Sequence, residues 1–295
     1  VTAPRDAGNG EYGDGAPGGL SPSDVLDVLC RGQLEIRGRL IDASNATLYA
    51  VVTLDGVAGH CVYKPVAGER PLWDFPNRTL ARREVAAFVL SDALGWDVVP
   101  PTVLRDGPYG EGSVQWWIGD GTVDADGDPV GGEPGAGLVD LLPPERVPQG
   151  WLHVLRAETY EGSPVSLVHA DDPGLRRMAV FDVIANNADR KGGHVLRDLD
   201  GGVRGVDHGL TFNIEDKLRT VLWGWAGRRL PEDLQDDLSR LAADLDDDRG
   251  RSEELHRLLT PAEVDRTAHR VRRLLDSRRH PRPGGSRHPI PWPAF

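Results

Sequence analysis

The chain has 295 residues, 39% of them hydrophobic, and a formal charge of −12 from 46 acidic side chains against 34 lysines and arginines. That is enough apolar material for two lobes around a cleft, while the negative balance argues against a nucleic-acid partner, which calls for clustered positive charge. No stretch approaches the roughly 18 uninterrupted apolar residues of a membrane helix, the opening VTAPRDAGNGEYGDGAPGG lacks the basic and apolar regions of a leader, and Cys30 and Cys61 are too few for a disulfide framework or a four-ligand zinc site.

These exclusions lead to the expectation of a cytoplasmic protein without integral membrane association. Residues 1–20 are Gly-rich and polar and read as a flexible tail. Residues 21–118 read as a small β-rich lobe. LEIRGRLI, TLYAVVTL, HCVYKP and SVQWWI have strand character, and TLARREVAAFVLSDALG has apolar residues at helical spacing and stops at Gly95. Residues 119–137 form a Gly/Asp-rich linker. Its DADGDP superficially resembles a calcium loop but lacks the closing Glu and flanking helices of an EF-hand. Residues 138–280 read as a helical lobe built from GLVDLLPPERV, PGLRRMAVFDVIANN, PEDLQDDLSRLAADL and TPAEVDRTAHRVRRLLDSR. Residues 281–295 are a Pro-rich tail whose Trp292 and Phe295 could dock.

The chemistry-bearing residues sit at element ends. Only Lys64, Lys191 and Lys217 are lysine in a chain that otherwise uses arginine, which marks Lys64, at the end of the strand HCVYKP, as a site needing a compact ammonium. Glu84 on the following helix, or the nearer Glu69, could hold it. Asp189 follows an apolar helix and has Asn186, Asn187 and Arg190 beside it. Asp207 precedes His208-Gly209, where glycine lets a ligand approach the backbone. Taken singly, Asp189 could be a helix cap and Asp207 a turn residue. A lysine for phosphates, a carboxylate that orients the acceptor and a metal-binding acid are the parts phosphoryl transfer needs, and they occur here in chain order.

The ordered set YKPVAGERP, VVPPTVL, SVQWWI, IANNADRKGGHVL and VDHGLTF, over about residues 34–230, resembles the catalytic domain of the phosphatidylinositol 3- and 4-kinases, most closely the type II 4-kinases and their bacterial relatives, including an actinobacterial branch. The resemblance implies an α+β, bilobal, protein-kinase-like fold with one helix in the N-lobe and a mainly helical C-lobe, and it implies ATP with Mg or Mn as cofactors. It places Lys64 on the ATP phosphates with Glu84 or Glu69 holding it, and Ser44, Asn45 and Thr47 in the phosphate-covering loop. Gln115, Trp116, Trp117 and Ile118 fall in the hinge strand against adenine, Asp189 becomes the catalytic acid and Asp207 a metal ligand. Trp223 and Trp225 more simply fill the helical lobe.

One departure stands out. The family's second metal ligand is an Asn five residues after the catalytic Asp, and here that position is His194. Imidazole suits transition metals better than magnesium. His194 could therefore select a manganese-like ion, ligate nothing, mark a weakly active nucleotide binder, or act on a proton or phosphoryl group itself. The leading expectation is an ATP-dependent phosphotransferase acting on a small molecule or a protein, with lipid possible; the alternatives are an ATP-binding pseudokinase and an enzyme transferring AMP. The Arg-rich RTAHRVRRLLDSRRH is the best candidate for a membrane-facing surface, although its apolar residues more simply pack a helix on the lobe.

Overall fold

The computed structural model describes residues 20–40, 45–119, 134–247, 250–284 and 288–295. The DADGDP stretch and Ser44 lie outside the described residues.

The chain is α+β and two-lobed. In the N-lobe, helix α1 (Pro22–Arg31) begins with a reciprocal capping box between Ser21 and Asp24. Five antiparallel strands follow: β1 (Gln33–Arg39), β2 (Leu48–Leu54), β3 (Val57–Pro65), β4 (Thr102–Gly107) and β5 (Gly110–Trp116), in the order β1-β2-β3-β5-β4. Alternation along β3 buries Cys61 and Tyr63 with Val28 and Leu29 of α1, and turns Val62 and Lys64 to the opposite face. Burial pushes the Cys61 thiol up to about 12, which keeps it an inert core residue. Helix α2 (Leu80–Leu94) ends where expected, with Gly95 in the left-handed conformation at φ +64°. The single-helix expectation for this lobe is thus corrected: α1 is a second helix, short and sharply capped.

The C-lobe opens with a three-stranded sheet, β6 (Val139–Leu142), β7 (Leu152–Glu158) and β8 (Pro164–His169), in the order β6-β8-β7. GLVDLLPPERV is therefore a strand and a single 3-10 turn at Pro144–Arg146, not a helix. Pro143 and Pro144 lack the N–H groups that a continuing helix would use, and the four residues before them pair with β8 instead. Helix α3 (Pro173–Ala185) follows, started by the Asp172 side chain and stopped by Asn186 in the left-handed region. The β9 (Val195–Arg197) and β10 (Val203–Gly205) hairpin comes next, then α4 (Glu232–Asp246), α5 (Arg251–Leu258) and α6 (Pro261–Ser277). The large core joins α2 residues such as Val85, Ala86 and Leu90 to Met178, Phe181 and Ile184 of α3 and to Leu238, Val264 and Val271, so α2 packs on both lobes. Among the described residues no helix is long and apolar enough to cross a membrane.

Trp225 is fully buried between His169 and His280, with ring centroids 4.3 Å and 6.0 Å away. Gly224 N–H donates to His169 Nε2 (3.0 Å), leaving Nδ1 to donate to the Ala170 carbonyl. Burial holds both imidazoles down to about 4. Unfolded histidine titrates near pH 6.5, so below that the unfolded chain takes up protons that the fold excludes. Stability is full above pH 6.5 and declines toward pH 4, by about 2 kcal/mol per histidine at pH 5. Urea midpoints at pH 7.5 and 5.0 should differ accordingly, and His280→Gln should shrink the difference. An unchanged difference in that variant would remove His280 from the account.

Candidate active site

A cavity of about 840 Å³ lies between the lobes, within the range of small-molecule sites. Its upper wall carries Val62, Gln115, Trp116, Trp117 and Ile118. Its floor carries Leu196 and Val206, and Lys64, Glu84, Asp189, Lys191, His194 and Asp207 also line it.

Lys64 Nζ bonds Glu84 Oε1 at 2.5 Å and Asp207 Oδ1 at 2.9 Å. Burial works to lower its pKa, and the Asp207 and Glu84 carboxylates outweigh it, so the ammonium is held charged. Glu84 is 3% exposed, and its second oxygen accepts from His208 N (2.9 Å). Its neighbour Arg83 donates to the Thr211 carbonyl at 2.6 Å and pairs with Glu263 of α6. Glu69 does not contact Lys64 in this arrangement. Its carboxylate accepts from Leu80 N and Ala81 N (3.2 and 2.9 Å) and so caps α2. Of the two acids the sequence offered, Glu84 is the partner.

Asp207 adopts φ +60°, a conformation costly for a side-chain-bearing residue. The Lys64 ammonium keeps the carboxyl of this half-exposed side chain below the usual range. Its Oδ2 lies 3.4 Å from His194 Nε2. Burial pushes His194 down to about 4 against the opposing Asp207 charge, so at neutral pH the ring is uncharged and the contact is not an ion pair. His194 Nδ1 is buried without a partner. An anionic oxygen and an unprotonated imidazole facing one cavity suit a divalent ion of borderline softness. Asp207 and His194 are two donors that could contribute to holding such an ion; among the described residues no group of three or more His, Cys, Asp or Glu side chains is placed to hold a metal.

Asp189 lies across the cavity floor, its Oδ2 3.4 Å from Lys191 Nζ and its N–H donating to Asn187 Oδ1 (2.9 Å). Burial raises its pKa, and Lys191 opposes the rise. The loop is held by Arg190, which is fully buried. Its guanidinium is bidentate to Asp182 of α3 and donates to the carbonyls of His194 (3.3 Å) and Val206 (3.1 Å) and to His208 Nε2 (2.6 Å). One side chain thus fixes the segments bearing Asp189, His194 and Asp207 relative to each other.

Near the end of β5, Gln115 lines the cavity while its amide donates to Thr102 Oγ1 (2.8 Å). Tyr49 and Trp117 pack as a T-shaped pair with ring centroids 5.1 Å apart, and the buried Trp117 Nε1 has no acceptor. Asn45 and Thr47 line the rim, and Asn45 Oδ1 accepts from Arg70 N (2.9 Å). Trp225 fills the lobe as expected, and Trp223 donates its indole N–H to the Pro289 carbonyl. The site also contains Lys191, to which sequence reading gave no role, and Phe295, for which it gave docking without a place. The scarcity that marked Lys64 marked Lys191 equally.

No protein-family model matches the chain. Protein Rv2133c of Mycobacterium tuberculosis (strain ATCC 25618 / H37Rv) is 52% identical over 274 residues, covering 92% of this chain and 96% of that protein. The chain belongs to the same family as Protein Rv2133c. Among solved structures, a Golgi casein kinase with Mn/ADP bound is similar over 87% of this chain and 75% of its own, at 15% identity and a TM-score of 0.47. The Helicobacter pylori proinflammatory kinase CtkA is similar over 85% and 94%, at 10% identity and a TM-score of 0.41.

Proposed function

We propose that the protein is an ATP-dependent phosphotransferase, of the type its motif order resembles among the phosphatidylinositol 3- and 4-kinases. The observation that carries the reading is the double engagement of Lys64 by Glu84 and Asp207 in the cavity that Asp189 also lines. In this reading Lys64, oriented by Glu84, meets the phosphates. The apolar wall of Val62, Trp116, Trp117 and Ile118 takes the base. Asp207 and His194 hold a divalent ion, for which nitrogen ligation favours manganese over magnesium. Such an ion would supply positive charge against the charge that develops on the phosphates. Asp189 orients the acceptor hydroxyl and takes its proton as the oxygen bonds to the γ-phosphorus and the bond to the ADP oxygen breaks.

A small molecule or a protein hydroxyl is the leading acceptor, with a lipid hydroxyl as the alternative. In the Arg-rich segment Arg266, Arg270 and Arg273 share the single carboxylate of Asp216, and Arg272 pairs with Asp246.

The test is incubation of the full chain and a cell extract with ATP labelled on the α- or the γ-phosphate, with Mn or Mg present. Transfer of γ-label, greater with Mn and lost in Asp189→Asn, is expected. Transfer of α-label would instead identify an AMP-transferring enzyme, and no transfer above the Asp189→Asn control would leave a nucleotide-binding pseudokinase.

A further inference from the structure

One wall of the cavity is used by none of this chemistry. Residues 288–295 lie across the C-lobe as a strap. The Pro289 carbonyl accepts from Thr220 N (3.0 Å) and Trp223 Nε1 (2.8 Å), and the Ala294 carbonyl accepts from Gly192 N (2.7 Å). Pro291 is buried, and Ile290 and Ala294 pack partly buried on the core. The strap thereby lays the Phe295 ring on Gly192, three residues beyond Asp189, so closely that a Cβ at 192 would overlap it. On another side, a Cβ at Gly135 would lie 3.4 Å from the same ring. Gly192 does not have a positive φ, so its backbone would accept alanine. Its missing side chain makes room for the ring. Pro293 and Phe295 line the cavity together with Trp117 and Leu196.

We propose that the strap is part of the nucleotide site and that Phe295 is a binding residue, covering the base or sugar of bound ATP from the side of Gly135 and Gly192. This rests on the phosphotransferase reading for the identity of the ligand. The ring is 38% exposed beside a cavity that Val62, Trp117 and Ile118 also line, so a ligand there would cover surface that the protein leaves wet. Main-chain hydrogen bonds hold the strap in place beforehand, which lowers the ordering cost of binding.

The experiment is calorimetric titration of the full chain and its variants with a nonhydrolysable ATP analogue in the presence of Mn, and separately with inorganic tripolyphosphate, which has no base or sugar. Phe295→Ala should weaken the analogue about tenfold, the effect of losing part of an aromatic ring's apolar contact, and leave tripolyphosphate unchanged. Gly192→Ala, which displaces the ring, should weaken the analogue comparably. The double variant should be no worse than Phe295→Ala, because the ring that the new methyl displaces is gone. Variants that match the wild type, bind more tightly, lose both ligands equally or combine additively would overturn the proposal and leave the phosphotransferase reading standing. A wild type that binds neither ligand would overturn both.

Discussion

Asp189→Asn is expected to reduce γ-phosphoryl transfer by about three orders of magnitude, within the range for loss of a general base, while leaving the melting midpoint unchanged or slightly raised. The two readouts part because of where the carboxylate sits. Burial raises its pKa above the unfolded value, against the pull of Lys191. For an acid this sign means that ionisation at neutral pH works against the fold, so removing the charge relieves it. Activity and thermal melting measured on one preparation decide the matter. A large fall in the midpoint would show that Asp189 is a structural cap, and full activity would remove it from the chemistry. Lys64→Met is less diagnostic, because it strands Glu84, 3% exposed, without its counterion and so costs stability as well as turnover.

Asp182→Asn should instead lower stability as well as turnover, with a loss of about 3–5 kcal/mol, the cost of leaving a buried charge without its partner. Asp182 and Arg190 are both fully buried, and Asp182 also accepts from Asn187 Nδ2 (3.0 Å) and Thr220 Oγ1 (3.4 Å). Urea unfolding monitored by tryptophan fluorescence measures the loss, and a change under about 1 kcal/mol would contradict the assignment. Replacing both partners, as in Asp182→Leu with Arg190→Met, should recover much of the stability, since no charge is then stranded. Turnover should stay low in the pair, because the carbonyls of His194 and Val206 lose the donor that sets their spacing.

The sequence made the polar centre more legible than the frame around it. Lys64 stood out by the scarcity of lysine, and Asp189 and Asp207 by their places after an apolar helix and before His-Gly. All three line one cavity in the fold. Helices α2, α3, α4 and α6 carried enough periodicity to be read with their ends. The choice between Glu69 and Glu84 could not be read, because each lies near Lys64 along the chain and only the turn after β3 decides which one reaches the ammonium. LVDLL before Pro143 fits both helical and strand spacing, and the partner that makes it a strand, β8, lies some twenty residues further on. That Phe295 could dock was legible, but not where: a Pro-rich segment has no period, and its docking depends on a glycine about a hundred residues earlier.

Helix α2 grips the lower lobe through two consecutive side chains, Arg83 to Thr211 and Glu263, and Glu84 to His208. Swinging this helix outward to disarm Lys64 would therefore also tear a buried guanidinium from its acid and open the continuous core. An outward-swung state would forfeit that buried pair, at a cost of about 3–5 kcal/mol, so the contacts of α2 bias the cleft toward the assembled arrangement.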